Sequence, residues 1–218
     1  KIIEHATALE KLFEDDPNRY IERTAQVGDT AVELDRCAFQ WGPDKLTLAP
    51  ETLRVKTGEF AVVVGRIGSG KLSLLSAICS EMPLVSGTGY TYGRIGYVSQ
   101  KPWIMNATFC ENVLFGQAFD EKFYWRVVEA CALAQDVKLF PAQDLSEIGP
   151  RGINLSGRQK VRLELARAIY SCADIYVLDV LLAAVDAHVE RYLIENVLVG
   201  SGVISDKTRI LVTHAEHV

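Results

Sequence analysis

The chain has 218 residues, 49% of them apolar, and a formal net charge of −5. That length holds one sizeable domain, or a domain with a subdomain, and supplies a large core. The acidic balance argues against a nucleic-acid-binding surface, and no apolar run reaches the ~18–20 residues of a membrane span.

Residues 1 to about 30 are polar. IIEHATALEKLF is amphipathic enough for a helix end, and the acidic Glu14-Asp15-Asp16 before Pro17 reads as a linker. The charged start does not lead one to expect a signal peptide; without an initial Met and with an abrupt stop at HAEHV, the chain is expected to be a fragment of something longer. From Ala31 the composition becomes globular. EFAVVVG (59–65) is a short β-branched run that stops at glycine, which predicts a fully buried strand. KLSLLSAICSEM (71–82) follows with helical periodicity. RIGYVSQ (94–100) predicts a second strand, closed by Gln100, Lys101 and Pro102. A helix-rich middle follows, with EKFYWRVVEACALAQDV (121–137) its clearest segment. SGRQKVRLELARAIY (156–170) predicts a helix capped by Ser156, with Gln159 completing an S-x-x-Q capping box. ADIYVLD (173–179) reads as a buried strand ending in a carboxylate, and RILVTH (209–214) as another ending at His214. Strands alternating with helices imply a mostly parallel sheet covered by helices. Cys37, Cys79, Cys110, Cys131 and Cys172 are odd in number and form no C-x-x-C pair. Buried thiols in a reducing compartment are therefore expected, rather than disulfides or a zinc site.

GRIGSGK (65–71) fits the phosphate-loop pattern G-x-x-x-x-G-K-[ST] through Lys71 and fails at Leu72. Gly65, Gly68 and Gly70 let backbone N–H groups turn inward around phosphate oxygens. The helix beginning near Lys71 points its positive end at the same anion, and Lys71 adds a full charge. An ordinary glycine-rich turn is the alternative, but a strand before and a helix after are the context a phosphate loop needs. The hydroxyl missing at Leu72 normally ligates Mg²⁺. Ser73 does not replace it, because the next helical residue points roughly 100° away. Phosphate binding should survive in part and Mg²⁺ binding should weaken. Asp179, after the apolar run IYVL, is placed to hold Mg²⁺ through water at a strand's carboxyl end, unless it serves as a loop or capping aspartate. Val180, next to it, can neither accept a proton nor orient water.

LSGRQ (155–159), Gln100 after a strand, AAVDAHV (183–189) and His214 after ILVT stand in the order of an ABC-type nucleotide-binding domain. From about Val32 onward the chain resembles the first such domain of subfamily C transporters, the multidrug-resistance-associated group. ENVLFG (111–116), ACAL (130–133), EIGPRGINLSG (147–157) and ADIYVLD followed by AAVDAHV carry this likeness. The resemblance implies an α/β fold: a P-loop NTPase core, mostly parallel with flanking helices and an antiparallel β edge, plus an inserted α-helical signature subdomain at about 104–166. It makes residues 1–30 the linker from a preceding transmembrane domain. Residues 31–218 become the nucleotide-binding domain, cut just after the switch histidine.

The resemblance also implies roles. ATP would lie on Gly65, Arg66, Ile67, Gly68, Ser69, Gly70, Lys71, Leu72 and Ser73, with Trp41 of FQWGP stacked on adenine; a core aromatic is the other reading of Trp41. Gln100 resembles the Q-loop glutamine, which touches the Mg²⁺ and water and senses the transmembrane domains. Asp179 would be the other metal group. His214 resembles the switch histidine that contacts the γ-phosphate. Leu155, Ser156, Gly157, Arg158 and Gln159 form the signature loop, which acts on ATP held by a partner domain. Asp186 resembles the D-loop aspartate at that interface. The implied cofactors are ATP and weakly bound Mg²⁺. The implied partners are a second nucleotide-binding domain and the transmembrane domains, at the cytoplasmic face of a membrane. The sequence departs from the pattern at Leu72, Arg158, Val180 in the place of the catalytic acid, Leu181 and Ala183. Two readings follow: an ATPase-type coupling domain of an exporter with weak turnover at its own site, or a regulatory or decayed module that acts by binding alone.

Overall fold

The computed structural model describes residues 20–25, 28–42, 45–66, 68–152, 154–179 and 185–213. In chain order the strands are β1 (Glu22–Thr24), β2 (Thr30–Gly42), β3 (Lys45–Lys56), β4 (Phe60–Val64), β5 (Leu84–Tyr92) and β6 (Ile95–Val98), then β7 (Ala107–Thr108), β8 (Glu147–Ile148), β9 (Ile175–Asp179) and β10 (Thr208–Thr213). The helices are α1 (Lys71–Ile78), α2 (Phe109–Leu114), α3 (Glu121–Ala130), α4 (Ala134–Leu139), α5 (Gly157–Tyr170) and α6 (Ala187–Leu193).

The central sheet runs β4-β10-β9-β6 and every pairing in it is parallel. Its middle strands are buried on both faces, as parallel strands under crossover helices must be. Ile175 and Val177 of β9, with Ile210 and Val212 of β10, join one core with Leu75, Ala77 and Ile78 of α1. Tyr176 and Leu178 alternate to the other face, where they pack with Val161, Leu165 and Ile169 of α5 and Tyr124 and Val127 of α3. A second sheet, β1-β5-β2-β3, supplies the antiparallel part: β2 pairs antiparallel with both β3 and β5. Phe39, Leu34 and Val55 from it complete the first core. No helix among the described residues is long and apolar enough to cross a membrane.

Ile21 is buried and Glu22–Thr24 add parallel to β5. Four expectations change. The strand at 60–64 is only partly buried: β4 ends the sheet as described, and its Val62 and Val64 are exposed. The helix expected over 71–82 stops at Ile78, because Ser80 takes φ 57° and leaves the helical backbone. The segment 121–137 is two helices broken at Ala132, whose φ of 54° turns the chain while Leu133 N–H closes on the Val128 carbonyl at 3.0 Å. None of the five thiols forms a disulfide; Cys37, Cys79 and Cys131 are buried as expected, whereas Cys110 is half-buried and Cys172 exposed.

Candidate functional site

The parallel register sets the site. Val64 pairs with Thr213, Val212 with Asp179, and Leu178 with Val98. All four strands therefore end at one edge. That carboxyl edge is where open α/β sheets bind ligands. Gly65 follows β4, Asp179 ends β9, and Ser99 and Gln100 follow β6. His214, Ile67 and the acid position Val180 lie outside the described residues, as do Leu181 and Ala183.

The turn 65–71 is built for close approach. Gly70, which caps α1, has φ 90°, and Gly68 has φ 80°. A Cβ at Gly65 would lie 2.7 Å from Ser69 Oγ, and one at Gly70 would lie 2.9 Å from a Leu48 methyl. Lys71 is buried, and its ammonium folds back to the Gly65 carbonyl at 2.5 Å and the Arg66 carbonyl at 2.9 Å. The turn thus holds a cation against its own carbonyls at the start of a helix that no side chain caps. Such an arrangement suits a polyphosphate, which can take over the ammonium and the unpaired N–H groups of the first turn.

Trp41 stands at the end of β2, 54% exposed, and its indole N–H donates to Ser73 Oγ at 3.2 Å. The core-aromatic reading of Trp41 is therefore excluded, and the ring is anchored beside the first turn of α1. The same contact occupies Ser73 Oγ. Leu72 is 54% exposed and offers no oxygen. A hard divalent cation needs oxygen donors; here Ser73 Oγ accepts the Trp41 indole N–H and the position before it is hydrocarbon. The turn, the Lys71 ammonium and the exposed indole fit a nucleotide triphosphate. Among the described residues, no group of three or more His, Cys, Asp or Glu side chains could hold a metal.

Asp179 is buried at the end of β9. It lies near Tyr97, whose phenol is raised above its ordinary value by burial first and by the Asp179 charge second. Gln100 is exposed and, with Lys101 and Pro102, lines one side of an open groove of about 640 Å³; Ser156, Gly157 and Arg158 line the other. The structure therefore puts the Gln100 loop next to the signature loop, and none of the described residues of the turn 65–71 lines the groove.

The signature loop is held as its sequence predicts. Ser156 Oγ accepts from Gln159 N–H at 3.2 Å, and Gln159 Oε1 accepts from Ser156 N–H at 2.8 Å. Leu155 is buried and anchors the turn in the helical core. Arg158, a cation in the first turn where the helix dipole disfavours it, reaches Asp186 Oδ2 at 3.3 Å. The other oxygen of Asp186 caps α6 by accepting from Val189 N–H at 3.1 Å, and that hydrogen bond holds its carboxyl below the ordinary value. Within one chain the two expected interface loops are therefore linked by an ion pair.

Sequence reasoning missed the polar core behind the Gln100 loop. Glu164 and Arg167 on α5, and Asn112 on α2, bond to the backbone of residues 99–108. The available signal was a Glu and an Arg among the apolar residues of the inward helix face, where ionised groups are rare unless paired.

Comparison with known proteins agrees with this geometry. A family model described as "ABC transporter" matches residues 48–181. Mouse ATP-binding cassette sub-family C member 2 is 49% identical over 190 residues, which is 87% of this chain. ABC transporter C family member 8 of Dictyostelium discoideum is 44% identical over 203 residues, 93% of this chain. Multidrug resistance protein mrp-7 of Caenorhabditis elegans is 47% identical over 188 residues, 84% of this chain. The chain spans only 12–13% of the length of these relatives.

Proposed function

The chain belongs to the ABC transporter family, and on that premise we propose that it is the ATP-binding, energy-coupling domain of a multidrug or organic-anion type exporter. The observation that carries this reading is the turn 65–71 at the sheet's carboxyl edge, with the Lys71 ammonium already inside it and Trp41 anchored beside it. Lys71 would exchange its two carbonyl partners for β- and γ-phosphate oxygens. Trp41, whose exposed ring accepts any flat base, would carry the adenine. Mg²⁺ would supply charge neutralisation between the phosphates, and with Leu72 in the hydroxyl's place Asp179 and Gln100 are the side chains left to hold it. His214 is assigned to the γ-phosphate on its place in the sequence alone. The domain assignment stands with this proposal: a linker, then a nucleotide-binding domain with its helical part at about 104–166.

In this reading a second nucleotide-binding domain packs head to tail, and Ser156 and the Gly157 backbone meet the γ-phosphate bound by the partner. Closure of the two domains biases the transmembrane part. Trp103 and Phe115 support docking of that part: they are 57% and 52% exposed, and the Arg167 guanidinium lies 5.2 Å from each ring. In this reading the chain sits at the cytoplasmic face of a membrane. Val180 and Leu72 make hydrolysis at its own site weak. The alternative, a regulatory module that only binds, is favoured by the same two residues.

The purified chain should bind a fluorescent ATP analogue, lose that binding in Lys71→Ala, and hydrolyse ATP at background rate. Absence of binding would overturn the nucleotide reading. Robust turnover abolished by Lys71→Ala would refute the weak site.

A further inference from the structure

Helix α5 carries a carboxylate in its buried middle that the nucleotide chemistry leaves unused. Glu164 is only 7% exposed, eight residues along from Ser156. Its partners all belong to the loop after β6. Ser99 N–H donates to Oε2 at 3.0 Å, and Trp103 N–H donates to Oε1 at 3.3 Å. Ser99 Oγ lies 3.2 and 3.3 Å from the two carboxylate oxygens, and 2.7 Å from the Lys101 carbonyl. Its single proton goes to the nearer acceptor, so the two backbone amides are the dependable donors to Glu164. Between those two amides stand Gln100, Lys101 and Pro102, the residues that face Ser156–Arg158 across the open groove. A leucine or alanine at 164 would fill the same helix face without the cost of burying a charge. What the carboxylate adds is a grip on both feet of one loop. Arg167, nearly one turn further, takes the Trp103 carbonyl at 2.7 Å and Asn112 Oδ1 at 2.8 Å, which fixes the loop's far side.

We propose that Glu164 is the positioning residue of the Gln100 loop, pinning both its feet to the helix that begins at the signature loop, so that Gln100 and Ser156–Arg158 hold one spacing and respond together to nucleotide. This rests on the reading that Gln100 answers to ATP bound on the turn 65–71. The helix is the rigid element. From Ser156 to Glu164 it rises about 12 Å, and a displacement of the pinned loop is delivered along it to the Ser156 cap. With the pin removed, residues 99–102 keep their strand attachment to β6 and lose the Glu164 tie, which leaves the Arg167 contact to the Trp103 carbonyl as the hold on α5, and Gln100 can move without the signature loop.

Amide hydrogen exchange measured by NMR on the full 218-residue chain tests this, with and without ATP. In Glu164→Gln the Ser99 and Trp103 amides should exchange about tenfold faster, the effect of losing a hydrogen bond to a charged group. The Met105 amide, held by Asn112 Oδ1 at 2.9 Å, should be unchanged and reports that the fold is intact. ATP should change the rate of the Gln159 amide in the wild type. In Glu164→Gln that response should vanish, while the Trp41 indole resonance still shifts with ATP. Unchanged Ser99 and Trp103 rates, or a Gln159 response that survives in the variant, would each overturn the proposal. A wild-type chain whose Trp41 ignores ATP would instead refute the nucleotide reading; the ATP-free exchange rates would still decide whether Glu164 holds the loop. Should Glu164→Gln not fold, Glu164→Asp carries the same test, with an intermediate acceleration expected at both amides.

Discussion

Leu72→Ser isolates what the departure from the phosphate-loop pattern does. Leu72 is the second residue of α1, and 54% of it is exposed. Less than half of a leucine's burial is therefore lost on substitution, about 1 kcal/mol, with no cavity left in the core. Helix propensity costs a few tenths more. The melting temperature should fall by only about 2–6 °C for a chain of this size, so the folded state survives. The gain is one hydroxyl in the place from which Mg²⁺ is normally held. A polar contact to a charged group contributes about 1.5–3 kcal/mol, roughly 10- to 150-fold in binding. Titration with a fluorescent ATP analogue in Mg²⁺ and in EDTA measures this. The wild type should bind with an EDTA-to-Mg²⁺ ratio within about threefold of unity, and Leu72→Ser should raise that ratio at least tenfold. Leu72→Ala removes the apolar bulk without adding an oxygen, and should leave the ratio where it was. Strong Mg²⁺ dependence in the wild type would refute the reasoning, as would equal gains in the serine and alanine variants.

Three other perturbations have expected outcomes. Arg162 and Asp136 form an ion pair at 2.9 Å with side chains 11% and 19% exposed, tying α5 to α4; Asp136→Ala should destabilise the chain by about 3–5 kcal/mol, read by urea unfolding. Asp186→Ala should lower the melting temperature more than Asp186→Asn, because asparagine can still cap α6; a carboxyl titration followed by NMR should place the Asp186 midpoint below 3.8. Burial raises the Glu164 carboxyl above its ordinary 4.5, so the folded state takes up that proton more readily than the unfolded chain. The stability this contributes is fully present below 4.5 and is lost as pH rises through the raised value. The difference in unfolding free energy between wild type and Glu164→Gln should therefore decline with rising pH across that window.

Much of the fold was legible because its signals are local. Apolar runs such as YVL before Asp179 identify strands, since a parallel strand covered on both faces needs apolar groups on both. Ser156 and Gln159 cap their helix from three residues apart, and the cap forms as expected. The turn 65–71 is equally local, because glycine spacing and the adjoining lysine are all it needs. The break at Ala132 was invisible for the converse reason. Alanine favours helix, and its φ of 54° comes with a closing turn in which the Leu133 N–H meets the Val128 carbonyl. The exposure of Val62 and Val64 was hidden as well, because their apolar run reads alike at the edge and in the middle of a sheet.

By itself the sequence determined the order of motifs, the strand–turn–helix around Lys71 and the missing oxygen at Leu72. It did not determine which polar groups meet. Trp41 finds Ser73 across 32 residues, Arg158 finds Asp186 across 28, and Glu164 finds Ser99 across 65. Each contact depends on strand order and register, which bring distant segments to one edge of the parallel sheet. Hydrophobic pattern specifies which faces are buried, but it does not name the partner a charged side chain will have once those faces close. That choice is made when the sheet assembles, and it turns Glu164 from one charged residue among several in its helix into the anchor of the Gln100 loop.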